Sequence, residues 1–515
     1  MEQSIPEVTT VCNNSGYTRS LWMEVPLPAF PPLENNMIAD VCIVGAGIVG
    51  LTCAYTLAKQ GKSVVVLDQG AIAGGQTART TAHLSWVLDD RYCDLEKLFG
   101  EEGAKLAAES HAAAINYIEK IVREEGIECD FERVDGYLFV PPEDSKDILD
   151  KEYSAVSKIG MEVHKVERAP FTSFDTGPCL HFPGQAQFHI LKYLQGLIKA
   201  ILKHGGKIFG QTHVNHVEDG DICLIKTESG EITAKSVIIA TCTPVNCRFS
   251  IHTKQAAYRT YVIGASVPKG SVQKGLYWDT PDPYHYIRLQ SHLTDPHSDW
   301  LIIGGEDHKT GQDPAIEAKY DYLEEWATLR FPMIDKIEYR WSGQVFEPID
   351  SLAFIGQSPG NKNIYLATGD SGNGMTHGTI AGILLPDLIL GKNNPWKGLY
   401  EPSRKTLSAA SEFLHENLNS VMQLKDWFTP GEAKKVEALA PGEGMVLREG
   451  LKKIAVYKDD KNEVHINSAL CPHLGGCLRW NHGEKSWDCP LHGSRFDGSG
   501  KILNGPSIDC LHSPK

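Results

Sequence analysis

A glycine-rich turn between a strand-like run and a helical run is the strongest constraint on the fold of this chain. Gly45, Gly47 and Gly50 form the pattern Gly-x-Gly-x-x-Gly, which directly follows the apolar run Asp40 to Val44. The three glycines permit a tight turn, close approach of the backbone to a phosphate, and close packing of helix on strand. Free N–H groups and the positive dipole end of the helix then attract phosphates. The motif predicts a unit that binds a dinucleotide.

An acidic residue supports the dinucleotide assignment. The apolar run Ser63 to Leu67 predicts a neighbouring parallel strand, and Asp68 follows it. A carboxylate at this position accepts a hydrogen bond from a ribose hydroxyl and disfavours a 2′-phosphate. The alternative interpretation is an ordinary strand–turn–helix in which the glycines only pack, and NAD and FAD are both candidate nucleotides.

Length, composition and charge exclude several classes of function. The chain has 515 residues, 42% of them hydrophobic and 22% charged, and a formal net charge of −15. Two to four globular domains are expected, and nucleic acid is not predicted as a partner because the chain lacks a positive footprint. No apolar run reaches the ~18 residues of a transmembrane helix, and the amino terminus has no secretory signal pattern.

The thirteen cysteines fall into two groups. Nine lie between Cys12 and Cys247 without regular spacing, and four lie between Cys471 and Cys510. The first group is typical of small buried residues in a reducing compartment and, with the missing signal pattern, predicts a cytoplasmic location. The second group lies among histidines, which indicates a metal site.

The carboxy-terminal metal pattern is Cys-x-His followed, after fifteen residues, by Cys-x-x-His. Its members are Cys471, His473, Cys489 and His492. Two thiolates on one iron and two imidazoles on the other hold a Rieske [2Fe–2S] cluster. A structural zinc site also uses two Cys and two His. These four residues lie in two loops that contain Gly and Pro rather than on a helix, which favours the cluster.

The part of the chain before this pattern resembles the D-amino-acid oxidase-like flavoenzymes, a superfamily that includes glycine oxidase and sarcosine oxidase. The resemblance rests on the run Asp40 to Asp68, the loop Gly74 to Thr81, and the segments Lys235 to Thr241 and Leu366 to Thr376. It covers about residues 38–395 and implies FAD as the nucleotide. No second Gly-x-Gly-x-x-Gly motif is present for NAD(P)H.

The resemblance implies which residues meet FAD. His83 stands in a Thr-Thr-x-His context similar to that of flavin dehydrogenases in which the histidine is bonded covalently to the flavin. A histidine near the flavin without such a bond is the alternative. The expected FAD-binding residues are Gly45, Gly47, Gly50, Asp68, Arg79, Thr80, Thr81, Val214, Thr241, Gly369, Asp370, Gly374 and Met375.

The flavoenzyme resemblance and the Rieske-type pattern together imply a chain with α/β and α+β parts. A Rossmann-type FAD-binding domain with an inserted antiparallel-sheet substrate domain is expected before a small all-β Rieske domain. A helix is expected from Leu407 to Met422. The expected ranges are 1–39 for an amino-terminal arm, 40–395 for the FAD-dependent part, about 91–180 and 250–350 for the insertion, 396–428 for a linker and helix, and 429–515 for the Rieske domain.

Two positions depart from the respiratory Rieske proteins that this domain resembles. Leu491 stands where those proteins have a second cysteine, so Cys477 lacks their disulfide partner. Ser494 keeps a hydroxyl that donates to sulfur, whereas Phe496 replaces a tyrosine that also donates. Fewer hydrogen bonds to sulfur stabilise the reduced cluster less. We therefore expect a potential in the lower part of the ~ −150 to +300 mV Rieske range.

The substrate side departs from the amino-acid-oxidising relatives. Those relatives carry an arginine in a Trp-Ala-Gly-Leu-Arg-Pro run, and Val345 occupies its position here. Tyr284, Tyr286 and Arg288 alternate along one predicted strand, so their side chains share a face. With His308 from a nearby turn, we predict Tyr286, Arg288 and His308 as catalytic residues. A solvated strand with core aromatics is the alternative interpretation.

The two cofactors together predict the type of reaction. A flavin takes up a hydride and releases electrons singly, and a [2Fe–2S] cluster takes one electron. The prediction is an oxidoreductase that oxidises a small, amine-type C–H donor and exchanges single electrons with a protein or quinone. The alternatives are an electron-transfer reductase module that serves a protein partner, and a redox sensor. A Rieske oxygenase is disfavoured, since the nearest Asp-x-x-His pattern, Asp282 to His285, precedes the cluster motif.

Overall fold

The computed structural model describes residues 15–141, 145–245, 251–313, 318–406, 439–450 and 452–514, with the single positions 3, 8, 9, 409 and 436. These residues form a mixed α/β fold with two large sheets, followed by small antiparallel sheets near the carboxy terminus. Apart from position 409, the predicted helix Leu407 to Met422 lies outside the described residues.

An eight-stranded sheet carries the glycine-rich turn at the end of its strand Met37–Val44. That strand pairs in parallel with Val64–Leu67 on one side and Glu231–Ile239 on the other. Val64–Leu67 is buried along its whole length, as expected for a parallel strand covered on both faces. The order across the sheet is Val214–Glu218, Cys223–Thr227, Glu231–Ile239, Met37–Val44, Val64–Leu67 and Lys207–Phe209, with Ile364–Thr368 beside Glu231–Ile239 and Phe354–Gln357 beside Ile364–Thr368.

Two helices cross closely on this sheet, Ile48–Lys59 and Gly374–Ile389. The second begins at Gly374, and two of its glycines, Gly378 and Gly382, permit the close crossing. A Cβ atom on Gly378 would lie 2.8 Å from the Ile48 side chain, and one on Gly382 would lie 2.2 Å from that of Thr52.

The remaining helices lie around the two large sheets. The longest contains Gly100 at φ 73° and ψ 175°, a conformation that interrupts the helix and suits glycine. No helix among the described residues is long and apolar enough to cross a membrane. The remaining α-helices are Tyr92–Glu125, Asp147–Lys158, Ile190–Lys203, Lys319–Arg330 and Lys397–Tyr400, and the 3-10 helices are Leu21–Glu24, Gln76–Arg79 and His252–Lys254.

A nine-stranded sheet forms the opposite side of the FAD-dependent part. Its strands pair in antiparallel fashion except for Leu276–Asp279 with Glu132–Phe139, which run parallel. The order is Lys336–Pro348, Gln255–Pro268, Ser298–Lys309, Tyr286–Ser291, Leu276–Asp279, Glu132–Phe139, Cys179–Gln187 and His83–Leu84, with His164–Val166 beside Cys179–Gln187.

The amino-terminal segment packs into the body of the protein where it is described. Leu21 and Trp22 are fully buried in the largest hydrophobic core, and the short strand Leu27–Pro28 pairs with Val8–Thr9. The prolines of this segment prevent regular structure, but its apolar side chains still fill the core.

The carboxy-terminal part consists of short antiparallel strands. Their core contains Trp487 and Phe496, both fully buried, together with Cys471 and Cys489. One sheet comprises Gly444–Glu449, Lys452–Lys458 and Val464–Ser468, and the other Arg479–Asn481, Ser486–Asp488, Arg495–Asp497 and Ile502–Asn504.

Candidate active site and cluster site

The glycine-rich turn has the geometry that its sequence predicts. Gly45 has φ +104°, and a Cβ atom there would lie 2.4 Å from the Ala240 carbonyl oxygen. A Cβ on Gly50 would lie 1.9 Å from the Gly45 carbonyl oxygen, so only glycine permits this contact. Gly47 faces the Thr77 hydroxyl, which accepts a hydrogen bond from the Ile48 N–H at 3.1 Å. Thr77 lies in the loop Gly74 to Thr81, but it was not among the expected FAD-binding residues.

Asp68 lies at the end of its strand and holds the turn in place. Its Oδ2 accepts a hydrogen bond from the Ala46 N–H at 2.8 Å, and its Oδ1 accepts one from the Gly70 N–H at 2.9 Å. Burial raises the pKa of Asp68, and these two hydrogen bonds oppose that increase. Each carboxylate oxygen can accept a second hydrogen bond, so a ribose hydroxyl can still bind here.

A cavity of about 760 Å³ opens beside the turn, within the usual ~300–1,000 Å³ of ligand pockets. Of the expected FAD-binding residues, Gly50 lies beneath the turn and outside the cavity wall. The others line the wall: Gly45, Gly47, Asp68, Arg79, Thr80, Thr81, Val214, Thr241, Gly369, Asp370, Gly374 and Met375. Segments that are distant in sequence therefore meet around one space that FAD would fill.

His83 also lines the cavity. Its Nδ1 lies 3.0 Å from the Thr81 hydroxyl, and Nε2 is buried without a hydrogen-bond partner among the described residues. Burial, and then the charge of Arg288, lower the pKa of His83 to about 3, so the ring is neutral at pH 7. A covalent bond from His83 to the flavin stays a prediction.

Of the three predicted catalytic residues, Tyr286 lines the cavity, whereas Arg288 and His308 lie outside its wall. The Arg288 guanidinium donates to the carbonyl oxygens of Ala82 and Phe188 and to Gln290, which makes it a buried structural group. His308 stacks on Tyr261 with ring centroids 5.6 Å apart. Because adjacent strand residues point to opposite faces, His308 faces away from the cavity while Asp307 faces into it.

Two acidic residues that the prediction missed lie on the cavity wall near Tyr286. Asp89 accepts a hydrogen bond from the Tyr284 hydroxyl at 2.7 Å. Thr260 bonds to the Tyr286 hydroxyl and to Asp307. Asp307 directly precedes His308, and both lie in the strand Ser298–Lys309 rather than in the expected turn, so strand alternation was the signal that could have found Asp307.

The two loops that carry the Cys and His pairs have equivalent backbone geometry. The Gly475 N–H donates to the Cys471 carbonyl at 2.9 Å, and the Gly493 N–H donates to the Cys489 carbonyl at 3.1 Å. Each glycine adopts a positive φ, +74° and +78°. The repeated turn places both pairs of side chains toward one point.

The four side chains suit a [2Fe–2S] cluster. Cys471 and Cys489 are buried, and the rings of His473 and His492 lie edge to face with centroids 5.2 Å apart. The Cys489 and Cys471 thiols share a hydrogen bond, which lowers the pKa of Cys471 and raises that of Cys489, and Ser494 also bonds to Cys471. His492 Nδ1 is buried without a hydrogen-bond partner among the described residues. Two thiols and two imidazoles therefore converge in one small region.

Leu491 packs beside these ligands, at the position where the respiratory Rieske proteins that this domain resembles have a second cysteine. A Cβ atom on Gly476 would be 2.8 Å from the Cys489 sulfur and 2.8 Å from Leu491. Cys477 is buried, with its sulfur 4.0 Å from the Leu478 carbonyl oxygen. No disulfide links the described cysteines.

The cluster loops pack directly against the FAD-dependent part. The ring of His252 lies edge to face with His473, with centroids 5.2 Å apart. The Gln344 side chain donates to the Gly493 carbonyl at 2.8 Å, and the Gln312 side chain donates to the Pro490 carbonyl at 3.0 Å. These contacts join sequence segments separated by more than 140 residues.

A fully buried carboxylate, Glu484, anchors this interface. Arg79, Arg259 and Arg495 lie 3.2, 3.5 and 4.0 Å from its oxygens, and the Ser342 hydroxyl donates to it. Although burial raises the pKa of Glu484, the three guanidinium charges outweigh it and lower the pKa to about 2. Arg79, expected to bind FAD, thus directs its guanidinium toward the cluster domain.

The cavity wall extends into the cluster domain. Asn504, Gly505 and Ser507 line it, and the Ser507 N–H donates to the Ser494 hydroxyl at 3.0 Å. Ser494 is the residue that hydrogen-bonds to Cys471. A short chain of contacts therefore leads from the cavity to a cluster ligand.

Comparisons with known proteins agree with both halves of this geometry. Residues 40–388 match the family described as FAD dependent oxidoreductase, and residues 427–515 match the Rieske [2Fe-2S] domain. This chain belongs to the FAD dependent oxidoreductase family. Its cofactors are FAD and a [2Fe–2S] cluster, and it is an oxidoreductase.

Similar proteins include one with the same two-part organisation. YhfW of Bacillus subtilis (strain 168), whose name describes a Rieske 2Fe-2S iron-sulfur protein, is 33% identical over 498 residues, which cover 94% of this chain and 95% of YhfW. Gamma-glutamylputrescine oxidoreductase of Escherichia coli (strain K12) is 25% identical over 70% of this chain and 86% of its own. The glycine oxidase structure from Geobacillus kaustophilus has a TM-score of 0.62 at 20% identity, covers 72% of this chain and 99% of that one, and supports the fold.

Proposed function

We propose that this chain is an amine dehydrogenase that passes electrons one at a time from FAD through its Rieske cluster to an external one-electron acceptor. The observation that carries the proposal is the shared wall: Ser507 lines the FAD cavity and bonds to Ser494, which bonds to Cys471. If the cluster did not exchange electrons with the flavin, a loop of the cluster domain would have no reason to line the FAD cavity.

The chemistry follows from the cofactors and a C–N donor. Bound FAD would take the C–H hydrogen as a hydride while C–N becomes C=N and the nitrogen releases a proton to water. The chain's residues would hold the donor between Tyr286 and Trp278 of the wall. The electron pair taken from the donor would then leave through the cluster as two single electrons, and each electron would reduce one equivalent of the acceptor.

The wall favours an amine over a simple α-amino acid. Val345 lines it at the position where amino-acid-oxidising relatives carry arginine. Arg288, another candidate carboxylate partner, lies outside it, and Arg79 is paired with Glu484. Two relatives bear the names of nitrogen compounds, gamma-glutamylputrescine and glycine, which supports a donor with a C–N bond.

The test is an anaerobic screen of the holoenzyme with amines, N-methyl amino acids and amino alcohols. Flavin bleaching followed by the reduced-cluster EPR signal would support the dehydrogenase. Bleaching only by NAD(P)H or an added reduced protein would overturn it in favour of a reductase module.

Two variants separate flavin reduction from cluster reduction. His492→Ala should lose the Rieske signal and keep both FAD and substrate bleaching. His482→Ala, a histidine outside the ligand pattern, should keep all three. Loss of bleaching in His492→Ala with FAD still bound would contradict the proposed order of electron flow.

A further inference from the structure

The cavity wall is strongly acidic. Among the described residues that line the cavity, nine carry carboxylates and two carry guanidinium groups. One of those two, Arg79, is already paired with Glu484 at 3.2 Å. The other, Arg91, lies beside Asp89 and Asp90. The wall therefore has a large excess of negative charge in a space that must also admit a substrate.

Asp89 and Asp307 are held in place by neutral hydroxyl groups. Asp89 Oδ2 accepts from the Tyr284 hydroxyl at 2.7 Å, and Asp307 bonds to Thr260. Asp307 Oδ1 is buried and has no hydrogen-bond partner among the described residues. A buried carboxylate oxygen without a donor is costly, so a donor supplied by a ligand would stabilise this arrangement.

The two carboxylates also interact with each other. Burial raises the pKa of each to about 7, and the charge of Asp89 contributes to the increase at Asp307. Tyr284 donates to Asp89, and Tyr286 bonds to Thr260, the partner of Asp307. The rings of these two tyrosines have centroids 5.5 Å apart. A protonated nitrogen between the carboxylates would offset their repulsion and supply the missing donor.

We propose that the substrate carries a second, protonated nitrogen remote from the reacting one, and that Asp89 and Asp307 bind this cation. The substrate class is thus a diamine or polyamine without a carboxylate at the flavin. This inference rests on the proposed amine oxidation, which it makes more specific. The aromatic rings beside these carboxylates also favour an ammonium group, because the face of an aromatic ring attracts cations.

The test compares three linear probes of equal chain length: 1,5-diaminopentane, pentylamine and 5-aminopentanoate. Each is titrated anaerobically into the FAD-loaded holoenzyme, and both the Kd from flavin absorbance and the bleaching rate are measured. We expect the diamine to bind at least about tenfold more tightly than pentylamine, the effect of one charge-assisted hydrogen bond. The aminopentanoate should bind most weakly.

Asp307→Asn keeps the shape of the side chain and removes its charge. It should abolish the preference for the diamine by raising the Kd of the diamine more than that of pentylamine. Asp221→Asn, at an exposed surface pair, is the control and should leave all values unchanged. If Asp307→Asn does not retain FAD, Asp89→Asn provides the same comparison.

The outcomes distinguish this inference from the proposed function. Equal affinity for diamine and monoamine, or equal weakening of both by Asp307→Asn, would overturn the inference even if pentylamine bleaches the flavin. Tight, Asp307-dependent binding of the diamine without bleaching would support the cation site and overturn amine oxidation. Binding of aminopentanoate as tight as that of the diamine would also overturn the inference.

Discussion

Arg79 and Glu484 form an ion pair at 3.2 Å in which neither side chain is exposed, although 405 residues separate them. Arg79 belongs to the loop that is expected to meet FAD, and Glu484 belongs to the cluster domain. The pair therefore fixes the cluster domain to the flavin loop itself. Arg259 and Arg495 complete the cationic environment of Glu484, so this carboxylate balances charge contributed by both parts of the chain.

Glu484→Gln should destabilise the protein by about 3–5 kcal/mol, because it leaves buried guanidinium groups without their counter-ion. The measurement is urea unfolding of the holoenzyme, followed by tryptophan fluorescence. Asp221→Asn removes one partner of the exposed Lys362–Asp221 pair and should cost less than about 1 kcal/mol. An equally small effect of Glu484→Gln would show that the interface does not depend on this charge.

The same carboxylate predicts loss of stability in acid. Its pKa in the folded protein is lowered to about 2, below the usual glutamate value of 4.5. A depressed pKa contributes stability that is complete above pH 4.5 and is lost as pH falls from 4.5 through 2. The unfolding temperature should therefore fall across this window, and less steeply in Glu484→Gln. Identical pH profiles for the two proteins would contradict the prediction.

Sequence reasoning located the FAD turn because Gly45 and Gly50 are required by local geometry that any chain with this pattern shares. It could not locate Glu484 as the partner of Arg79, because ion pairs across domains leave no local pattern. It chose His308 over Asp307 because it placed both in a turn, whereas they lie in the strand Ser298–Lys309, where alternation directs Asp307 into the cavity and His308 away from it.

Gln344→Leu should slow electron transfer from flavin to cluster while flavin bleaching by substrate is unchanged. Gln344 lines the cavity and donates to the Gly493 carbonyl, next to His492. Removing one net hydrogen bond costs about 1 kcal/mol and loosens the loop that holds the imidazole ligand. Stopped-flow spectroscopy separates the two phases, and Gln357→Leu, whose amide donates only to nearby carbonyls at the surface, is the control. A parallel slowing of both phases would argue against this role.

Ser494→Ala should lower the potential of the cluster and keep its EPR signal. The Ser494 hydroxyl bonds to Cys471 and accepts from the Ser507 N–H, so it stabilises charge on the thiolate sulfur. A shift on the order of 60 mV corresponds to about 1.4 kcal/mol for one electron. A redox titration monitored by EPR measures it, with Ser499→Ala at an exposed turn as the control. An unchanged potential would mean that this bond stabilises both redox states equally.

Phe496→Tyr should raise the potential, because it restores a hydroxyl in the position where the respiratory Rieske proteins have one. Phe496 is fully buried in the same core as Cys471 and Cys489, so an added hydroxyl would be shielded from water and would need a partner within this core. Its hydrogen bond would stabilise the more negative, reduced cluster and shift the potential upward by a similar amount, on the order of 60 mV. The same titration tests it, and combination with Ser494→Ala should return the potential toward that of the unmodified protein. A potential that falls in Phe496→Tyr would show that the hydroxyl disturbs the core instead of reaching sulfur.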